Sequence, residues 1–320
     1  MRSLTALAPC VDRRTNDIDA RLAAATIEKT AREGALKPAP FAYAKARSVG
    51  HAIDLLAQAD ARILAGGQSL IATLNMRLSR PALLVDINGL DGLDEISREN
   101  GRLKIGALVR HVKAESSAEI ARHAPLIALA MPHIGHPAIR NRGTVGGSIA
   151  FADPAAELPA CLLALSGEVE IAGPEGRRIV HADHFFKDLF DTALTPHDVL
   201  TSVRVPVATP ATRVGFAEFG RRHGDYAMAG LAACARAQGD TLTDIRLVYF
   251  GVGPVAARAR NAERSLERGD MEGALVALRT DLHPSEDLQG SAAVKAHLAG
   301  VLLRRVAKQL ALPRSEGVAP

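Results

Sequence analysis

Two glycine doublets set far apart in the chain constrain its fold more than any other feature. The later one lies within residues 139–159, IRNRGTVGGSIAFADPAAELP. There a basic run (Arg140, Asn141, Arg142) leads into Gly143, Thr144, Val145, Gly146, Gly147 and Ser148, and two acids, Asp153 and Glu157, follow. A Gly-Gly step lets backbone approach a ligand with no Cβ in the way, and consecutive N–H groups beside hydroxyls form an anion-binding nest. Acids a few residues on can take ribose hydroxyls, so the stretch suggests one end of a dinucleotide. In isolation TVGGS reads as a tight turn between two elements. The earlier doublet shifts that balance. Residues 61–64 form a short apolar strand that runs into Ala65, Gly66, Gly67, Gln68, Ser69 and Leu70, with helix-compatible residues through Leu78. Strand, nest and helix in that order suit a phosphate held on backbone amides. The spacing is neither G-x-G-x-x-G nor G-x-x-x-x-G-K-[ST], so neither a Rossmann site nor a P-loop is supported. A single long anion with two phosphates, gripped from two parts of the chain, needs such a pair of loops.

Composition excludes several alternatives. At 320 residues, 48% of them hydrophobic, the chain can form two domains with real cores. The net charge of +4 is spread along the sequence, and without Trp and with few aromatics there is no stacking platform for nucleic acid. No apolar run approaches the length of a membrane span and no secretory core follows the N-terminus, so the expected location is cytoplasmic. Cys10, Cys161 and Cys234 are odd in number and far apart, which rules out a disulfide framework. They also fall short of the four thiolates of an iron–sulfur cluster. If this protein moves electrons, the metal centres belong to another chain.

Along the chain, residues 1–35 are polar and charge-rich and read as an appendage, either an arm for contacting a partner or an upstream translation artefact. A helix is expected over residues 48–59 with Ser48 as N-cap, strands over 61–64, 82–87 and 103–107, and a helix over 125–131. A helix at 158–165, a hairpin at 168–181 and a strand at 199–207 follow. Residues 206–212, PVATPAT, read as the linker to a second domain. Its strands at 214–219, 227–237 and 243–252 precede helices at 258–268, 271–278 and 292–311, which predicts an α+β unit with helices on one face of an antiparallel sheet. Gly251-x-Gly253-x-x-Ala256 imitates a dinucleotide fingerprint, but Pro254 interrupts it and no βαβ unit follows, so it reads as a turn. The pairs His133/His136 and His181/His184 have metal-compatible spacing without a third ligand nearby and read as packing or surface histidines. Arg221-Arg222 reads equally as a docking or phosphate contact and as a solvated pair.

AGGQSL, VDIN, LKIGALV, IRNRGTVGGSIAFADPAAELP, the hairpin with ADHFF, and RRHGDYA occur in an order and spacing that resemble the FAD-binding medium subunit of molybdenum hydroxylases, the carbon monoxide dehydrogenase and xanthine dehydrogenase group. The resemblance covers residues 36–312. It implies an α+β chain: an α/β FAD-binding domain of the vanillyl-alcohol-oxidase (PCMH) type in two subdomains over 36–208, then a small α+β C-terminal domain over 212–313 and a tail at 314–320. Carried over by position, Leu64, Ala65, Gly66, Gly67, Gln68, Ser69, Leu70 and Ile71 resemble the segment around the FAD pyrophosphate and flavin edge. Thr144, Val145, Gly146, Gly147 and Ser148 resemble the second phosphate loop. Asp153 and Glu157 match the ribose-binding acids, though Glu157 stands where Asp is usual and is one methylene longer. Ile134 and Leu200 match apolar positions near the isoalloxazine, and Tyr226 an aromatic over one flavin face. Glu218 stands where many relatives carry Lys, which removes a positive charge from that neighbourhood.

The resemblance further implies an electron-transfer flavoprotein within a dimer of heterotrimers. A large molybdopterin subunit would oxidise substrate, a small subunit with two [2Fe–2S] clusters would relay single electrons, and FAD on this chain would pass them to an external acceptor. A stand-alone flavin oxidase of the same fold and a flavin-free scaffold are the alternatives. No catalytic base beside the FAD segments supports the first, and the intact glycine doublets oppose the second.

Overall fold

The computed structural model describes residues 37–58 and 60–312. The expected appendage over 1–35 and the tail over 314–320 lie outside the described residues. Three sheets organise the rest. The first is parallel, with β1 (Ala42–Lys45), β2 (Ala61–Leu64) and β3 (Leu83–Asp86) in the order β1-β3-β2. β3 is central and buried along LLV, as a parallel strand covered on both faces must be. The helix Val49–Gln58 turns Ala52, Leu55 and Leu56 onto this sheet, and Ser48 Oγ accepts the His51 amide at 3.0 Å as the expected cap.

The second sheet is antiparallel. Its strands are β4 (Ile96–Glu99), β5 (Arg102–Gly106), β6 (Glu168–Gly173), β7 (Gly176–His181) and, after the short pair β8 (Phe186–Asp188) and β9 (Asp191–Thr192), β10 (Val199–Pro206). The order is β4-β5-β10-β6-β7, so β10 returns from far along the sequence to lie between β5 and β6. The expected hairpin is β6–β7. Strands β1 and β4 are not foreseen by the sequence reading: each is a four-residue edge strand with no buried run.

The third sheet holds β11 (Thr212–Phe219), β12 (Ala229–Gln238), β13 (Thr241–Phe250) and β14 (Ala257–Arg258) in sequence order, all antiparallel. As predicted, the helices Arg260–Glu267, Met271–Asp281 and Ala292–Ala311 follow the long strands and cover one face. The opposite face is covered too. The helix Glu157–Ala164 packs across β12 and β13, and every one of its residues is buried, the pattern of a helix sandwiched on all sides. The Ala-rich β12 permits this: Ala229, Leu231, Ala233 and Ala235 join the core under the C-terminal helices, while Ala232 joins the core shared with β5, β6 and β10. Small side chains on both faces let two helical layers approach one strand. Polar contacts reinforce the seam. Arg246 on β13 donates to Leu163 O at 3.0 Å and to Asp183 Oδ1 at 2.7 Å, with Arg258 3.9 Å from the same carboxylate.

Residues 251–255 form bends leading into β14, as the turn reading of the false fingerprint requires. Gly251 adopts φ +73°, and a Cβ there would lie 2.6 Å from Ala227 O.

Candidate functional site

The three sheets meet around a cleft of about 800 Å³, toward the upper end of the range for small-molecule pockets of roughly 300–1,000 Å³. Its floor is where the two glycine loops touch. Gly66 lies so close to the second loop that an added Cβ would sit 2.4 Å from Arg142 O and 2.9 Å from Gly143 Cα. Only glycine allows that backbone-to-backbone approach. Gly67 follows at φ +74°, a left-handed conformation that turns the chain from β2 into the helix Leu70–Asn75.

The two loops are not alike. In the first, the amides of Gly66, Gly67, Gln68 and Ser69 have no hydrogen-bond acceptor among the described residues, and all four residues line the cleft. Consecutive free donors of this kind are what a nest offers an anion. In the second, Val145 N–H donates to Val109 O and Gly146 N–H to Ala107 O, both at 2.9 Å, because this stretch bridges to the segment after β5. Gly147 N–H goes to Thr144 Oγ1 at 3.1 Å, the N-cap of the helix Val145–Phe151, and Ser148 N–H goes to Thr144 O. The sequence alone suggests an amide nest at both doublets. At the second, internal partners take those amides, and the chemistry left to offer is the hydroxyls of Thr144 and Ser148 and the open backbone surface at Gly147. Gly146 is required by packing, since a Cβ there would meet Ala107 at 2.5 Å.

Most of the sequence-predicted residues converge on this cleft: Ala65, Gly66, Gly67, Gln68, Ser69, Leu70, Ile134, Thr144, Gly146, Gly147, Ser148, Asp153, Glu157, Leu200 and Tyr226 all line it. Leu64, Ile71 and Val145 do not. Val145 is the first residue of its helix and packs into the core, whereas the side chains of Leu64 and Ile71 close on either side of Gly67 at 3.3 and 3.2 Å from its Cβ position. Tyr226, 55% exposed, reaches the cleft from the loop between β11 and β12. Gly224 at φ +85° seats that loop against the Gly135-His136 turn.

The acid end of the cleft is electrostatically unusual. Glu157 opens the helix Glu157–Ala164 and is buried, and burial together with the neighbouring charge of Glu218 pushes its carboxyl up to about 8. It therefore holds a proton at neutral pH and can donate to a hydroxyl or carbonyl. Burial raises Asp153 as well, although its Oδ1 accepts the Ala155 amide at 2.9 Å. The Glu218 side chain is only 7% exposed, with one oxygen 3.3 Å from His133 Nδ1 and the other without a partner among the described residues. That histidine packs its ring on Phe216 at 5.0 Å. His111 lies against Gly143, and burial lowers its pKa to about 4, outweighing the contact with the Thr144 backbone that raises it, so it is neutral.

The sequence reading missed His111, the turn over residues 194–198 and Gln289, which also line the cleft. For His111 the signal was its place just after the strand 103–107. The other two lie in loops whose approach depends on long-range packing.

Comparison with known proteins fits this geometry. Residues 39–208 match the family described as the FAD binding domain in molybdopterin dehydrogenase, and residues 215–310 match the CO dehydrogenase flavoprotein C-terminal domain. The chain belongs to the FAD-binding medium subunits of the molybdenum hydroxylases. It is 39% identical to the 6-hydroxypseudooxynicotine dehydrogenase complex subunit alpha of Paenarthrobacter nicotinovorans, over 84% of this chain and 94% of that one. It is 36% identical to the nicotine 6-hydroxylase medium subunit of the same organism, over 82% and 94%. Among solved structures, a chain of the Hydrogenophaga pseudoflava carbon monoxide dehydrogenase that lacks the Mo-pyranopterin moiety superposes with a TM-score of 0.83 at 36% identity, covering 85% of this chain and 98% of that one. FAD is thus the cofactor of this domain family. The free amides of residues 66–69, the contact of the two glycine loops and the size of the cleft fit a diphosphate-bridged dinucleotide. Among the described residues, no helix is long and apolar enough to cross a membrane.

Proposed function

We propose that this chain is the electron-transfer flavoprotein of a three-chain molybdenum hydroxylase. It would take electrons from the [2Fe–2S] clusters of a small subunit, fed by a large molybdopterin subunit, and pass them to an external acceptor, with the complex a dimer of heterotrimers in the cytoplasm. The observation that carries this reading is the cleft floor, where free amides of residues 66–69 and the hydroxyls of Thr144 and Ser148 meet at the contact of two glycine loops. In this reading Gly66, Gly67, Gln68 and Ser69 hold one phosphate on their amides, and Thr144 and Ser148 take the other. Asp153 and Glu157 hydrogen-bond the ribose, Glu157 as a donor at neutral pH. Ile134 and Leu200 supply an apolar wall for the isoalloxazine, and Tyr226 covers one of its faces and limits water there. The bound FAD supplies exchange between one-electron and two-electron carriers; the chain's part is to bind, orient and tune it.

The two cysteines among the described residues are consistent with clusters carried on partner chains. Cys161 is fully buried with its thiol pushed well up, and burial raises Cys234 to about 11, so neither is a thiolate ligand in waiting. The substrate is set by the large subunit, and the relatives named above act in complexes of their own.

Co-expression of the neighbouring reading frames followed by purification on this chain tests the reading. A yellow complex with two further chains, iron and molybdenum is expected. A yellow single chain that oxidises a substrate unaided would replace the reading with a stand-alone oxidase, and a colourless chain would replace it with a scaffold.

A further inference from the structure

We infer that Asn88 and Arg110 form a cross-brace that locks the two glycine loops together and turns the first loop's amides into the cleft, making both of them positioning residues for the cofactor. The inference rests on the reading that those loops hold the diphosphate. Asn88 follows β3, and its Nδ2 donates to Ala65 O at 2.8 Å and to Asp86 Oδ1 at 2.7 Å. Its Oδ1 accepts from Arg110 Nη2 at 2.7 Å, and the same guanidinium donates through Nη1 to Arg142 O. The chain of bonds therefore runs from a carbonyl of the first loop, through a carboxamide and a guanidinium, to a carbonyl of the second.

The residue types are fixed by this role. A backbone carbonyl only accepts and a guanidinium only donates, so the group between them must offer a donor on one side and an acceptor on the other. A carboxamide does so; a carboxylate does not. The group reaching two carbonyl-type oxygens on different segments must present donors in a rigid fork, which Arg does and Lys does not. Asp86 anchors the other side of the brace. Burial works against its charge, but bonds from Tyr43, at 2.5 Å, and from Asn88 keep its carboxyl below the usual range.

The consequence for the site follows from the planar trans peptide, whose C=O and N–H point in opposite directions. Holding Ala65 C=O back toward Asn88 aims the Gly66 N–H the other way, and that amide has no acceptor among the described residues. Without the brace, the Ala65–Gly66 peptide can rotate and the nest loses its first donor.

The test is a double-mutant cycle on the full chain, stripped of flavin and titrated with FAD, using Asn88→Ala, Arg110→Met and the double variant, with melting of each apo form measured in parallel. Each single variant is expected to weaken FAD binding about tenfold (1.4 kcal/mol). The double variant is expected to lose about the same tenfold rather than a hundredfold, because breaking either link releases both loops. Asn88→Asp should bind as poorly as Asn88→Ala, and Arg110→Lys should not restore affinity although it keeps the charge and the fold. Additive losses, Asn88→Asp or Arg110→Lys binding as the native chain does, or a weakening that merely tracks a lower apo melting temperature would each overturn the brace. Failure of the unsubstituted chain to bind FAD would instead overturn the assignment of the loops.

Discussion

Replacing Gly66 by alanine tests the cleft floor at its tightest point. The new Cβ would lie 2.4 Å from Arg142 O and 2.9 Å from Gly143 Cα, whereas ordinary contact begins near 3.4 Å. Both neighbours are backbone, so neither can rotate away. The loops must part by about 1 Å, the difference between 3.4 and 2.4 Å. Overpacking of this kind typically costs ~1–3 kcal/mol. In the flavin-free protein the loops can relax apart and relieve much of that strain. A ligand that spans both loops must close them again, so the cost falls on binding, a loss of about five- to 150-fold in affinity. Titration of the flavin-stripped chain with FAD, followed by flavin fluorescence, reads this directly. Gly50→Ala is the control. It lies in the helix Val49–Gln58 with nothing nearer than Ser48 Oγ at 3.9 Å, so it should raise the melting temperature slightly and leave FAD affinity unchanged. A Gly66→Ala chain with native FAD affinity would refute the claim that the ligand depends on loop contact.

Three further outcomes follow from the electrostatics. The carboxyl of Glu157 is raised from 4.5 to about 8, so the folded chain binds its proton more tightly than the unfolded chain does; its contribution is complete below pH 4.5 and lost as pH rises toward 8. Apo Glu157→Gln should therefore gain melting temperature over the native chain at pH 8 relative to pH 5, and an offset independent of pH would contradict the assignment. His111 has the opposite sign: its pKa falls from 6.5 to about 4, so its contribution is lost as pH drops through that window. His111→Gln should lose less stability between pH 6.5 and 4 than the native chain, as measured by denaturant melts. Arg246 spans the seam between the second and third sheets, and Arg246→Met leaves the partly buried Asp183 with only the longer contacts to His181 at 3.7 Å and Arg258 at 3.9 Å. A destabilisation of about 3 kcal/mol is expected, the low end for breaking a buried pair, and a change under about 0.5 kcal/mol would show the seam to be held by apolar packing alone.

Much of this fold is legible in the sequence because its elements carry strong local signals. Ser48 caps an amphipathic helix, the hairpin β6–β7 brackets a Pro-Glu-Gly turn, and the long helix Ala292–Ala311 has the bounds that its periodicity predicts. The edge strands β1 and β4 carry no such signal, because a short strand with one exposed face looks like loop. The double coverage of β12 is likewise invisible in sequence order, since a run of alanines does not say how many layers it faces. The glycine doublets pointed to the cleft but not to their different uses. Which amides are free depends on Val109 O and Ala107 O, carbonyls brought in by tertiary pairing. Glu157 reads in the sequence as a ribose-binding acid one methylene longer than the usual Asp, and its burial beside Glu218 changes its character from charged acceptor to protonated donor.

Comparative titration of the flavin-stripped full chain with FAD, riboflavin and ADP tests the two-loop grip most directly. One FAD per chain should bind far more tightly than either riboflavin, which has no diphosphate for the two loops, or ADP, which has no isoalloxazine for the apolar wall of Ile134 and Leu200. Riboflavin binding as tightly as FAD would show that the glycine loops contribute nothing to recognition, and the two-loop grip would be wrong.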